Sequence, residues 1–108
     1  MSNVIQHKYG LQAKLRSKKG KSEQLSSILL RASELLSEAK GCVIYLVSIN
    51  QSDENDVRVI EVWETQEDHD DSLKDPKVKA LIGMAIPLLD GMVNERIELN
   101  IIGGKGII

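Results

Sequence analysis

The stretch VIEVWETQEDHD, residues 59–70, brings together three side chains able to do chemistry: Glu61, Trp63 and His69. Near neutral pH an imidazole is the readiest proton acceptor a side chain offers, so His69 is a candidate general base. Asp68, Asp70 and Asp71 surround it in sequence and would stabilise its protonated form. The competing reading makes it an exposed histidine on an acidic helix. Glu61 lies between apolar neighbours, Ile60 and Val62. Left unpaired there, its carboxyl would be pushed toward the neutral form and would suit a general base. Paired with a cross-strand Arg16 or Arg96 it is structural, and the pair is the reading adopted. Trp63 is the only tryptophan of a chain without phenylalanine. It is either a flat wall for a ring-shaped ligand or core filling whose indole N–H finds a partner.

Other chemistries find less support. His7 and His69 are far apart and outside any H-x-x-H or H-E-x-x-H spacing, so no metal set is expected. The single Cys42 excludes an intrachain disulfide and fits a reducing cytoplasm, where the protein is expected. Net charge is −2 and no apolar run approaches membrane-spanning length, so neither nucleic acid nor membrane is an expected partner. The basic residues Lys14, Arg16, Lys18, Lys19 and Lys21 lack interleaved aromatics and read as a solvated strand end and loop. GGKG at residues 103–106 follows a strand, with no helix after it, and is read as part of a tail over 102–108.

Positioning these residues requires a scaffold, and 108 residues make one domain, 1–108. Residues 8–17 alternate, with Tyr9, Leu11, Ala13 and Leu15 on one face of a strand. Leu25, Ile28, Leu29, Ala32, Leu35, Leu36 and Ala39 recur at helical steps, with Ser22 as the expected cap and Lys40-Gly41 as the stop. Residues 42–50 and 57–64 read as strands of a hairpin joined by the polar turn QSDEND. Thr65 with Asp68 resembles a capping box, and Asp75-Pro76 starts a further helix. That helix carries Val78, Leu81, Ile82, Ala85, Ile86 and Leu89 as its stripe, with Pro87 ending it or kinking it near the end and Gly91 as the stop. MVNERIELNII is a last strand, with Val93, Ile97, Leu99 and Ile101 on one face.

The order β-α-β-β-α-β predicts an α+β, ferredoxin-like fold with a four-stranded antiparallel sheet and helices on one side. Both faces of the 42–64 hairpin are apolar: Ile44, Leu46, Ile60 and Val62 on one, Tyr45, Val47, Val59 and Trp63 on the other. An antiparallel sheet with one face in water should not show this. A second copy laid sheet to sheet is the simplest cover, so a homodimer is expected.

The run RVIEVWETQEDHDDSLKDPKVKAL, residues 58–81, resembles the hallmark of the antibiotic biosynthesis monooxygenase (ABM) superfamily, quinol monooxygenases included. The shared pattern is a strand ending in E-x-W-E, a short acidic helix and a Pro-led helix, with KKGKSEQL and GCVIYLVS extending it along the chain. The resemblance implies a dimeric α+β barrel with a pocket between sheet and helices, lined by the tryptophan. It implies a cofactor-independent monooxygenase oxidising a quinol, phenol or anthrone-like aromatic with O2, without flavin or metal. On that reading Trp63 stacks on the substrate, His69 or a water takes the proton, and Glu61 with Leu81, Ile82, Ala85 and Ile86 completes the pocket. The chain departs from the pattern at Ser72 and at Lys77, where members carry histidine, and at Ala13 and Val59, where some carry asparagine. With Ala13 and no histidine on the last helix, haem degradation is disfavoured. Two other readings stay open: an isomerase of a small phosphorylated signal, and a non-catalytic, stress-associated binding module.

Overall fold

The structure is a computed structural model and describes residues 7–91 and 95–107. Its elements run β1 (Lys8–Arg16), α1 (Ser22–Leu36), β2 (Cys42–Asn50), β3 (Asp53–Trp63), α2 (Gln66–Ser72), α3 (Pro76–Ala85), a 3₁₀ turn (Ile86–Leu88) and β4 (Glu95–Ile101). The four strands form one antiparallel sheet in the order β2-β3-β1-β4, the ferredoxin-like arrangement that the alternation predicts.

Strand periodicity decides what each face carries. Register sets Leu11 opposite Glu61, Ala13 opposite Val59 and Leu15 opposite Val57, and all of these point at the helices. Onto that face α1 lowers Leu25, Ile28, Leu29 and Ala32, and α3 lowers Leu81, which together with Val57 and Val59 form the main buried cluster. Ile44, Leu46, Ile60 and Val62 point the other way, joined by Ile97 and Leu99 of β4. Leu46 and Ile97 are each 54% exposed there.

Several boundaries differ from the sequence reading, each for a local reason. β3 begins at Asp53, so the expected QSDEND loop shrinks to a tight turn at Gln51-Ser52, with the Asn50 side chain accepting the Ser52 N–H at 2.8 Å. The hairpin also stands off-centre, because β2 is an edge strand and β1 with β3 fills the middle. Ser22 is the first helical residue and leaves the cap position to Lys21, which makes no side-chain cap. Gly41 is left-handed, at φ +81°, yet α1 has already ended at Leu36, so this glycine turns the chain into β2 instead of stopping the helix. Thr65 does cap α2, accepting from Asp68 N at 3.0 Å, and Asp75 caps α3 with Pro76 following it. Pro87 ends α3 in the 3₁₀ turn, before Gly91. Val93 of the expected last strand lies outside the described residues, and β4 starts at Glu95.

Two ties hold the end of the sheet near that turn. Ser17 N donates to Asn55 O at 2.9 Å, and Lys18 N donates to Leu88 O at 2.8 Å. Nearby, the buried Asp56 accepts from Asn50 at 2.9 Å and from both Nε and Nη2 of Arg58, at 3.1 and 2.9 Å. The Arg58 guanidinium and the Asn50 amide hold its carboxyl down from 3.8 to about 2.

Two outcomes are expected of this scaffold. A folded-state value below the unfolded one means that Asp56 contributes stability at every pH above 3.8, fading as pH falls from there through about 2. Thermal melts of the protein and of Asp56→Asn should therefore differ at pH 7 and converge near pH 2. Gly41→Ala should cost about 2 kcal/mol in chemical denaturation, from the left-handed backbone alone. A Cβ there would also collide with the Asp68 side chain.

Candidate functional site

Between the sheet and the helices lies a cavity of about 300 Å³, at the small end of ligand-binding pockets. Its floor is Leu11, Ala13, Val59 and Glu61, its roof is α1 and α3, and His69 and Ser72 of α2 close one side. At its mouth stand Leu73, Ile82 and Ile86, which are 39%, 43% and 60% exposed. Most of the wall is apolar, with Tyr45, Glu61, His69, Ser72 and Arg96 as the polar groups.

His69 is buried, and this removes the surface reading. It sits in the last turn of α2, whose Thr65 cap and short length turn that position inward. The ring packs against Tyr9, with centroids 5.3 Å apart and planes tilted by 49°, and edge-on to Trp63 at 5.8 Å and 80°. Of the acids around it in sequence only Asp70 reaches it, with Oδ1 at 2.9 Å from Nδ1. Asp68 faces Lys40 at 3.8 Å, and Asp71 pairs with Lys74 at 3.0 Å.

Trp63 does not line the cavity. It is fully buried in a second apolar cluster with Leu36 and Val78, flanked by Tyr9, Ala39 and Cys42. The strand ends at Trp63, two residues past Glu61 on the same face, so the ring drops under the C-terminal end of α1 while the cavity begins at Glu61. Burying a ring of this size contributes about 4–6 kcal/mol of gross apolar stabilisation. Its Nε1–H donates to Glu61 Oε1 at 3.0 Å, so the indole orients a carboxylate of the cavity wall from behind.

That hydrogen bond replaces the expected ion pair. Arg16 is on the other face of β1, by the parity of the strand, and pairs with Asp53 at 2.8 Å. Arg96 is on the correct face and lines the cavity, but among the described residues it makes no ion pair with Glu61. Burial first, and the Glu61 charge second, push both the Tyr45 hydroxyl opposite it and the Cys42 thiol up. Tyr45 is thereby kept protonated, a donor and not a base.

Leu81, Ile82, Ala85 and Ile86, part of the apolar stripe that the helical spacing marks, all line the cavity. Sequence reasoning missed the contribution of Tyr45 and gave Arg96 only a structural part. The alternation of β2, which sets Tyr45 and Val47 on the face opposite Ile44 and Leu46, and the register of β4, which sets Arg96 beside Ala13, were the signals that pointed to them. Also missed was Tyr9, whose hydroxyl donates to Glu98 at 2.7 Å beside the His69 ring, and whose own proton is held by burial and then by that carboxylate. None of Lys14, Arg16, Lys18, Lys19 and Lys21 lines the cavity. Among the described residues no group of three or more His, Cys, Asp and Glu is placed to hold a metal. No described helix is long and apolar enough to cross a membrane.

Comparison with known proteins places this architecture. A protein from Chloroflexus aurantiacus named for the antibiotic biosynthesis monooxygenases is 33% identical, superposes with a TM-score of 0.83, and covers 93% of this chain and 98% of its own. A conserved protein from Methanosarcina mazei shares the fold at 16% identity and a TM-score of 0.82, over 90% of this chain and 95% of its own. SnoaB from Streptomyces nogalater, a cofactor-independent oxygenase whose structure is that of a point variant, shares it at 14% identity and 0.74, over 85% and 90%. No curated protein matches the chain by sequence. The sequence profile of the antibiotic biosynthesis monooxygenases matches residues 9–83, a span that holds β1 but for Lys8, the E-x-W-E strand and the α2 histidine, and the chain belongs to that family.

Proposed function

We propose that the protein is a cofactor-independent monooxygenase of a small aromatic substrate, a quinol, phenol or anthrone-like ring, with O2 as the oxidant. The observation that carries this reading is His69, an imidazole buried on the wall of an otherwise apolar cavity. Its place there is what proton abstraction from a flat, weakly acidic ligand needs. Family membership supports the reaction class.

The chemistry balances without a cofactor. His69 accepts a proton, and the anion left behind is electron-rich enough to reduce O2 by one electron. The substrate radical and superoxide combine to a peroxide, which loses water to leave a carbonyl. One oxygen atom stays on the ring, and the other departs as water with the two hydrogens the substrate gave up. Glu61, held by Trp63, and Arg96 at the rim set the field along the cavity, and Leu81, Ile82, Ala85 and Ile86 keep water out. A volume of about 300 Å³ favours one or two fused rings over an extended polycycle.

The assembly belongs to this reading as well. Leu46 and Ile97 are 54% exposed on the outer sheet face, beside Ile44, Ile60 and Leu99, and a second copy laid against that face would cover them. A second functional reading is a ligand-binding module without turnover. It is favoured by Ala13, Val59 and Ser72, which all line the cavity and are the positions at which the sequence departs from the asparagine and histidine of the family pattern.

Oxygen uptake with a panel of hydroquinones, phenols and anthrone-like rings, corrected for autoxidation, separates the two. Turnover above background should place one atom of 18O2 in the product. His69→Ala should lose about 10²- to 10⁴-fold in rate, while Trp63→Phe should lower the rate with KM unchanged. Binding in the cavity with no uptake for any ring sinks the oxygenase reading in favour of the binding module. For the assembly, sedimentation should give a dimer, and Leu46→Asp with Ile97→Asp should give a folded monomer. A monomeric native protein rejects the sheet-to-sheet pairing.

A further inference from the structure

We infer that Asp70 is the positioning residue of the site: it fixes which nitrogen of His69 faces the substrate. The inference deepens the reading above and rests on His69 being the proton acceptor. A ring nitrogen that is to accept a proton must present a lone pair, and a neutral imidazole has only one. Which nitrogen carries it is set by the hydrogen bond the other one makes.

At this site the second bond is visible. Nδ1 of His69 lies 2.9 Å from Oδ1 of Asp70. A carboxylate only accepts, so Nδ1 carries the hydrogen and Nε2 carries the lone pair. Among the described residues Nε2 has no hydrogen-bond partner, and no buried side-chain nitrogen or oxygen sealed from solvent is left without one. Nε2 is therefore open to the cavity that His69 lines. The ring cannot readily exchange its two edges, because Tyr9 packs on it at 5.3 Å and Trp63 at 5.8 Å.

Exposure divides the labour between the two residues. The His69 side chain is 4% exposed and the Asp70 side chain 57%. Asp70 thus touches the ring from the solvent side and never reaches the substrate. It orients the imidazole so that Nε2 is the nitrogen that takes the proton. The neighbouring acids cannot substitute, since Asp68 and Asp71 face Lys40 and Lys74.

The test needs no substrate, so its failure is separable from a failure of oxygen uptake. Nitrogen-15 correlation spectra of the histidine-labelled protein, taken at a pH where the rings are neutral, report the tautomer directly. His69→Ala identifies the His69 signals by their loss, leaving those of His7 as an internal reference. The native protein should show the Nδ1–H form at His69. Asp70→Ala should lose that signature and gain the Nε2–H form, with fold and His7 signals unchanged. Asp70→Asn, whose amide oxygen still accepts, should restore it. An Nε2–H ring in the native protein, or an Nδ1–H ring that survives in Asp70→Ala, overturns the proposal.

Discussion

The two-residue period of β3 is the constraint on which everything else rests. Val57, Val59, Glu61 and Trp63 go to the helices, while Arg58, Ile60 and Val62 go to the opposite face. A slip of one residue would put Glu61 and Trp63 outside and would remove Val59 and Glu61 from the cavity floor. The pairing that prevents the slip is double. β1 on one side and β2 on the other each match an apolar residue to Val59, with Ala13 and Val47 as the partners.

On this frame the tryptophan acts through others. Its ring is sealed among Leu36 and Val78, its N–H holds Glu61, and its edge braces His69. A side chain that never meets the cavity thus sets two of the groups that do. Such support from behind keeps a polar group oriented in an apolar wall, where a mobile one would lose both its geometry and its desolvated strength. The cavity is correspondingly lean in polar groups.

The outer face follows a different logic. Gln12, Lys14, Arg16, Ser48 and Arg58 make its polar half, and Ile44, Leu46, Ile60, Val62, Ile97 and Leu99 its apolar half. Gly10 sits where the apolar half is tightest, since a Cβ there would press on Ile101 and Leu99. Inside and outside of the sheet are therefore both apolar for different purposes: one face holds a core and a cavity, and the other is left open toward solvent in the single chain.

Most of the fold was legible because it is written in local rules. Alternation placed β1 and β3, a three-and-four spacing placed α1, and the Thr65, Asp75 and Pro76 signals placed the starts of α2 and α3. The apolar stripe that includes Leu81, Ile82, Ala85 and Ile86 was legible for the same reason, and the structure made it a cavity wall. Partnerships were not. Which acid meets His69, whether Glu61 takes an arginine or an indole, and whether Trp63 faces a ligand or the core depend on angles between elements that no spacing encodes. By itself the sequence determined the order of elements, the two-sided sheet and the residue types available for chemistry, because these are set within a few residues of chain. Only the tertiary structure decided the burial of His69, its bond to Asp70 and the retreat of Trp63 behind Glu61. Those outcomes come from packing α1, α2 and α3 together on one sheet face, where two residues along β3 separate a cavity wall at Glu61 from a sealed core at Trp63.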